Sequence, residues 1–145
     1  MATPTFAGPV DYVVFAFPYG ASLQSGMVAV RDRVATGGIE VLDIDAVRRD
    51  SDDRPLRVPL REVLDLGDDD ISALAASQSC LLDAEDLAGI ATELEAGQYA
   101  LIIIYEDRSL AMAAEAFALS GGVEMFTGAV DIADLETIIE GENIE

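Results

Sequence analysis

Val10-Asp11-Tyr12-Val13-Val14-Phe15-Ala16-Phe17, closed by Pro18-Tyr19-Gly20, is the stretch that decides the fold. β-Branched and aromatic residues fill it and a turn signal ends it, so it predicts a first β-strand. Alternate side chains of a strand point to opposite faces, which puts Val10, Tyr12, Val14 and Ala16 on one side and Val13, Phe15 and Phe17 on the other. Both sides are apolar. Tyr99-Ala100-Leu101-Ile102-Ile103-Ile104-Tyr105 repeats the pattern, with Leu101 and Ile103 opposed to Ala100, Ile102 and Ile104. Strands that are apolar on both sides belong to sheets covered on both faces.

Between these strands, Leu23, Met27, Val30 and Val34 recur at helical spacing and Gly37-Gly38 ends the run, which predicts an amphipathic helix. Ile39 to Arg48 reads as a strand, Asp50-Ser51-Asp52-Asp53-Arg54-Pro55 as a polar turn and Leu56 to Leu60 as a second extended stretch, together a β-hairpin. A short helix is expected over Asp68 to Gln78. A better one is expected over Asp83 to Glu95, with Asp83 as N-cap, Asp86 three residues later and Gly97 as its stop. After the strand from Tyr99, Ser109 to Leu119 predicts an Ala-rich helix stopped by Gly121-Gly122. Val123 to Phe126 predicts a short strand, and Ile132, Leu135, Ile138 and Ile139 mark a last helical turn or two.

The order β-α-β-β-α-β, with an α-β-α extension at the C-terminal end, gives the α+β class and resembles the ferredoxin-like arrangement of four antiparallel strands with two helices on one face. Residues 1–145 are expected to form a single domain. Two helices on one face leave the other bare. Either the helices after Arg108 fold over that face or a partner subunit covers it, because monomers seldom expose large apolar patches; a homo-oligomer is expected.

With 145 residues, 51% of them hydrophobic, and a mean hydropathy of +0.30, the chain can offset its conformational entropy by burial despite a formal charge of −20. All eight cations are Arg and there is no His, so imidazole metal ligation, His general bases and Ser-His or Cys-His pairs are excluded. The lone Cys80 has no internal disulfide partner and reads as a small core residue. Met1-Ala2-Thr3-Pro4-Thr5 lacks the pattern of a secretory leader and the longest apolar run is far short of the ~20 residues that span a bilayer, so a cytoplasmic location without a membrane span is expected.

Residues 1–61 hold seven Arg and eight acids, whereas residues 62–145 hold one Arg, Arg108, and twenty acids. No stretch has the clustered cationic excess that phosphate backbones demand, so no nucleic acid is expected. Arg48, Arg49, Arg54, Arg57 and Arg61 fall in and around the hairpin, where they would meet an acidic surface of a second subunit. The acidic half allows a basic protein as a further partner.

Chemical motifs mostly fail. Asp50, Asp52 and Asp53 begin like a calcium loop, but Arg54, Pro55 and Arg61 occupy the places of a ligand, the Gly and the bidentate Glu. Asp68-Asp69-Asp70 read as a helix cap, and no phosphate-binding glycine loop occurs. No catalytic residue, metal or cofactor is expected. One constellation survives: if the first and last strands are antiparallel neighbours, Asp11 and Glu106 lie at one sheet end with Arg108 in reach of both. With Tyr12, Tyr99 or Tyr105 lining it, that end would make a small-molecule or enzyme site; its plainer reading is a strand-end salt bridge. Asp43 and Asp45 share a strand face, expected to be a wet edge or an interface.

Gly8-Pro9-Val10-Asp11-Tyr12 through Phe17-Pro18, Ile39-Glu40-Val41-Leu42-Asp43 with Arg48, Arg49 and Asp50, Leu81-Leu82, Asp86, Tyr105-Glu106 and Gly121-Gly122 carry a resemblance. In these residues the chain resembles an actinobacterial domain-of-unknown-function family of small acidic proteins. The resemblance implies a cytoplasmic protein with a ferredoxin-like core and implies no catalytic residues.

Overall fold

The computed structural model describes residues 6–64 and 81–128. Eight elements follow in chain order: β1 (Val10–Pro18), α1 (Gln24–Ala35), β2 (Ile39–Arg49), β3 (Pro55–Val58), α2 (Leu60–Val63), α3 (Ala84–Thr92), β4 (Gln98–Asp107) and α4 (Ala111–Leu119). The class is α+β, built on one open antiparallel sheet of four strands in the order β1-β4-β2-β3. The expected helix over residues 68–78, Cys80 and the last helical turns at residues 132–139 lie outside the described residues.

β4 decides this order. It pairs antiparallel with β1 on one side, Val14 opposite Ile102, and with β2 on the other, Ile44 opposite Ile103. β1 and β2 are therefore parallel to each other with β4 between them, a split β-α-β unit whose crossover is α1. In the ferredoxin-like arrangement the third strand fills that slot. Here β3 turns outward to the far edge, pairing with β2 from Ala46 opposite Val58 to Arg49 opposite Pro55.

The helices also divide differently from two on one face. Leu23, Met27 and partly Val30 from α1 and its approach, and Leu60, Val63 and Leu64 from α2 and its exit, pack on one face against Ile44, Ala46, Tyr99, Leu101 and Ile103. On the second face Leu87 of α3, Leu94 beyond it and, partly buried, Leu82 and Ile90 pack against Val47, Ala100 and Ile102. Among the described residues the helix that covers the second face is thus α3, and α4, which follows Arg108, buries no residue. Burying each Ile, Leu or Val side chain stabilises by roughly 1.5–3 kcal/mol, and β4 supplies such side chains to both faces.

Local chemistry sets the boundaries. Asp83 caps α3 as its sequence position predicts: its carboxylate accepts from Asp86 N at 2.9 Å, and the Asp86 carboxylate accepts from Asp83 N at 3.1 Å. In the hairpin turn the Asp50 carboxylate accepts from Asp52 N at 2.8 Å and Arg54 N at 3.0 Å. Those backbone bonds, to Arg54 first, hold Asp50 below the ordinary aspartate range. Val123 to Phe126, expected as a strand, carries no strand pairing, and Val123, Met125 and Phe126 are exposed.

A Cβ on Gly8 would lie within 1.7 Å of the Asp107 carbonyl oxygen, because residues 8 and 9 run hard against the end of β4. Gly89, in the exposed middle of α3, has open space instead. Gly8→Ala is expected to lower the melting temperature by forcing β1 away from β4. Gly89→Ala is expected to raise stability by about 0.5–1 kcal/mol through reduced chain entropy. Paired thermal melts check both, and a neutral Gly8→Ala would contradict the close approach.

Candidate functional site

The expected carboxylate pair is placed at one sheet end but not brought together. Val10 stands opposite Glu106 and Asp11 opposite Tyr105, so Glu106 shares a face with Val10 while Asp11 points to the other. Arg108 therefore serves Glu106 alone. Its Nη1 donates to Glu106 Oε1 at 2.9 Å and to the Phe6 carbonyl at 3.1 Å, while its guanidinium lies 5.6 Å from the Phe6 ring centre. Glu106 Oε1 also accepts from Gly8 N at 2.8 Å. This arrangement fastens residues 6–8 to the end of β4, the strand-end salt bridge of the plainer reading, and leaves Asp11 outside it.

Asp43 and Asp45 overturn their expectation: each is only 1% exposed, on the second face beneath the approach to α3. A β-bulge in β2 between Val41 and Asp43 is the cause. Without the extra residue Val41 and Asp43 would share a face; with it Val41 packs on the α1 side and Asp43 points to the α3 side. One oxygen of each buried carboxylate meets a donor. Asp43 Oδ2 accepts from Leu81 N at 3.2 Å, and Asp45 Oδ1 accepts from Arg57 Nη1 at 2.7 Å. Arg57 Nη2 reaches on to the Leu82 carbonyl at 3.0 Å. The two acids and Arg57 thus pin residues 81–82 across β2 and β3, a structural role rather than a wet edge.

The arginines of the hairpin do not form one array. Arg57 is committed to Asp45, and Arg54 and Arg48 lie close enough to Asp50 to favour its charged form. Arg48 pairs in register with Leu56 and so points to the opposite face from Arg57, which pairs with Val47. Among the described residues, Arg49 and Arg61 make no ion pair.

At the other sheet end, Tyr19 to Ser22, Arg61 to Leu64 and Tyr99 line a cleft of about 360 Å³. Tyr99 itself is sealed. Its ring meets Phe17 and Tyr19 at 5.8 and 6.2 Å, and its buried hydroxyl has no hydrogen-bond partner among the described residues. Burial, then the neighbouring Tyr19, raises its pKa above the ordinary tyrosine range. Among the described residues no group of three Asp, Glu or Cys could hold a metal ion, and no helix is long and apolar enough to cross a membrane.

The largest departure from a closed surface is apolar. Val10, Tyr12 and Val14, which share one face of β1, are 58%, 75% and 36% exposed, because α3 covers β2, β3 and β4 and stops short of β1. Phe15 on the other face is also exposed, and the outer edge of β1 has no strand beside it among the described residues. In α4 no residue is buried, and Met112, Phe117 and Leu119 are exposed. In the sequence Val10, Tyr12, Val14 and Ala16 already group as one apolar face of β1, from its double-sided pattern; α4 reads there only as an Ala-rich helix, with no signal that Met112, Phe117 and Leu119 would stay exposed.

No known family model, curated protein or solved structure matches this chain. The surface itself carries the functional reading.

Arg57→Met is expected to destabilise by about 2–4 kcal/mol. That is below the full cost of breaking a buried pair, since the Arg57 side chain is 38% exposed and partly screened. Urea unfolding checks it, and a loss below about 0.5 kcal/mol, the ordinary surface value, would contradict the pinning role. Tyr99→Phe removes an unpartnered buried hydroxyl and is expected to leave stability equal or higher. Because the folded pKa of Tyr99 is raised, its contribution is present below the ordinary tyrosine value and lost as pH rises through the raised one. Alkaline unfolding followed by circular dichroism is expected to shift to higher pH in Tyr99→Phe, and an unchanged transition would contradict the assignment.

Proposed function

We propose that this chain is a non-enzymatic, self-associating cytoplasmic domain with a structural or regulatory role, and that the exposed apolar face of β1 together with α4 is its contact surface. Two observations carry this reading: Val10, Tyr12 and Val14 are exposed on β1, and α4 buries no residue. Apolar surface of this extent on a folded chain marks an interaction site. The helix argues the same way: nine residues are too few for an isolated helix to be stable in water, so α4 needs packing.

The composition of the surface favours a copy of the chain over a basic protein. β1 carries one charge, Asp11, and α4 one, Glu115, although the whole chain carries −20. The hairpin arginines are a weaker candidate contact, since Arg57 is committed within the chain. The resemblance to actinobacterial small acidic domains stays part of this reading, as does the cytoplasmic setting. A second reading, a small-molecule-binding domain, is favoured by the cleft at Tyr19 and Arg61, at the other end of the sheet from Asp11 and Glu106.

Absolute mass by light scattering after gel filtration, at about 50 mM and about 1 M salt, is the test. The expected result is an oligomer at both, since apolar contacts are not screened. An oligomer that dissociates at high salt would move the interface to the arginines, and a monomer in both would overturn the reading.

A further inference from the structure

We propose that two copies of this chain join through β1, edge to edge and antiparallel, to make one continuous eight-stranded sheet about a two-fold axis at Val14. The inference rests on the self-association reading and specifies its geometry.

β1 is nine residues long and stands at the end of the order β1-β4-β2-β3, so one row of its backbone groups has no ladder partner among the described residues. Proteins that keep such edges apart shorten them, bend them or place lysines on them. β1 is neither short nor bent and has no lysine, its pairing with β4 running in unbroken register from Val10 to Pro18; its one charge is Asp11, and Pro18 is its last residue. An antiparallel strand pair is self-complementary, as a two-fold interface requires.

Only one register overlaps all nine residues, the one that sets Val14 opposite Val14. On the exposed face it places Tyr12 opposite Ala16, a large side chain against a small one. It also places Asp11 opposite Phe17. The two Asp11 carboxylates then stand six residues apart along the pair, roughly 20 Å, beyond the ~8 Å screening length at physiological salt. The edge itself therefore brings only one carboxylate per copy, Asp11, into the contact, out of a charge of −20 on the whole chain. A basic partner finds only one carboxylate here. One added strand is small beside the roughly 1,200–2,000 Å² of a specific interface. The further apolar area is α4, which leaves the sheet where Asp107 N bonds the Pro9 carbonyl, next to the start of β1.

Disulfide trapping tests the register in the full chain with Cys80 replaced by Ser. Val14 faces its own copy across the axis with Cα atoms about 4.5–5.5 Å apart, inside the roughly 4.4–6.8 Å a disulfide spans, whereas the two copies of residue 12 lie four residues apart along the pair. Val14→Cys is expected to oxidise to a covalent dimer and Tyr12→Cys to stay uncrosslinked under the same conditions, with light scattering giving the mass of each reduced form. If the reduced protein is oligomeric but Val14→Cys does not crosslink, or both variants crosslink alike, the edge pairing is overturned while self-association stands. If the reduced protein is monomeric, self-association fails and the pairing with it.

Discussion

Everything else in the molecule depends on β4 lying between β1 and β2. Its side chains alternate between two apolar cores, Leu101 and Ile103 toward α1 and α2, Ala100 and Ile102 toward α3. A strand buried on both faces must be central, and the slot it fills is the one left open between two parallel strands joined by a crossover helix. Once β4 is there, β3 is driven to the outside of β2, and among the described residues β1 is an edge with one neighbour. The exposed surface of β1 is thus a consequence of where the last strand inserts.

Charge is handled by the same geometry. The bulge in β2 directs Asp43 and Asp45 into the second face, where backbone N–H of Leu81 and the guanidinium of Arg57 receive them. An apolar pair at these positions would pack as well but would not fix residues 81–82 in place, and α3 with its Asp83 cap begins immediately after them. Buried carboxylates here bind one piece of chain to another. At the far end Glu106 does the same for residues 6–8. Neither group is arranged as a carboxylate pair: Asp11 points away from Glu106, and Glu106 and Asp45 are each bonded to an arginine, Arg108 and Arg57.

Much of the fold was legible in the residues. The pattern of β1, the i, i+4 stripe of α1, the turn of the hairpin and the Asp83–Asp86 capping box each act locally, and each is where its spacing predicts. The antiparallel adjacency of β1 and β4 was also expected, from the ferredoxin-like order in which the first and last strands are neighbours, and it holds although β4 lies in a different slot. What was not legible depends on contacts distant in sequence. Asp43 and Asp45 read as solvent-facing because two acids at period two usually are, and the bulge that buries them leaves no compositional trace. The hairpin register does offer a clue: a turn centred on residue 52 sets Val47 opposite Arg57, which puts a cation on the face of Asp45. Val123 to Phe126 has strand composition but no edge to join among the described residues. The apolar residues of α4 read as a core helix, since nothing in nine residues says whether the surface they need is their own or a neighbour's.

The central claim is that β4 is shielded by its own chain whereas β1 is completed by another. Amide hydrogen exchange resolved by residue, across a range of protein concentrations, tests it most directly. The account predicts β4 amides protected at every concentration, with alternate amides of β1 becoming protected only as the chain associates. Protection of β1 that is complete at the lowest concentration, or that never appears, would contradict it.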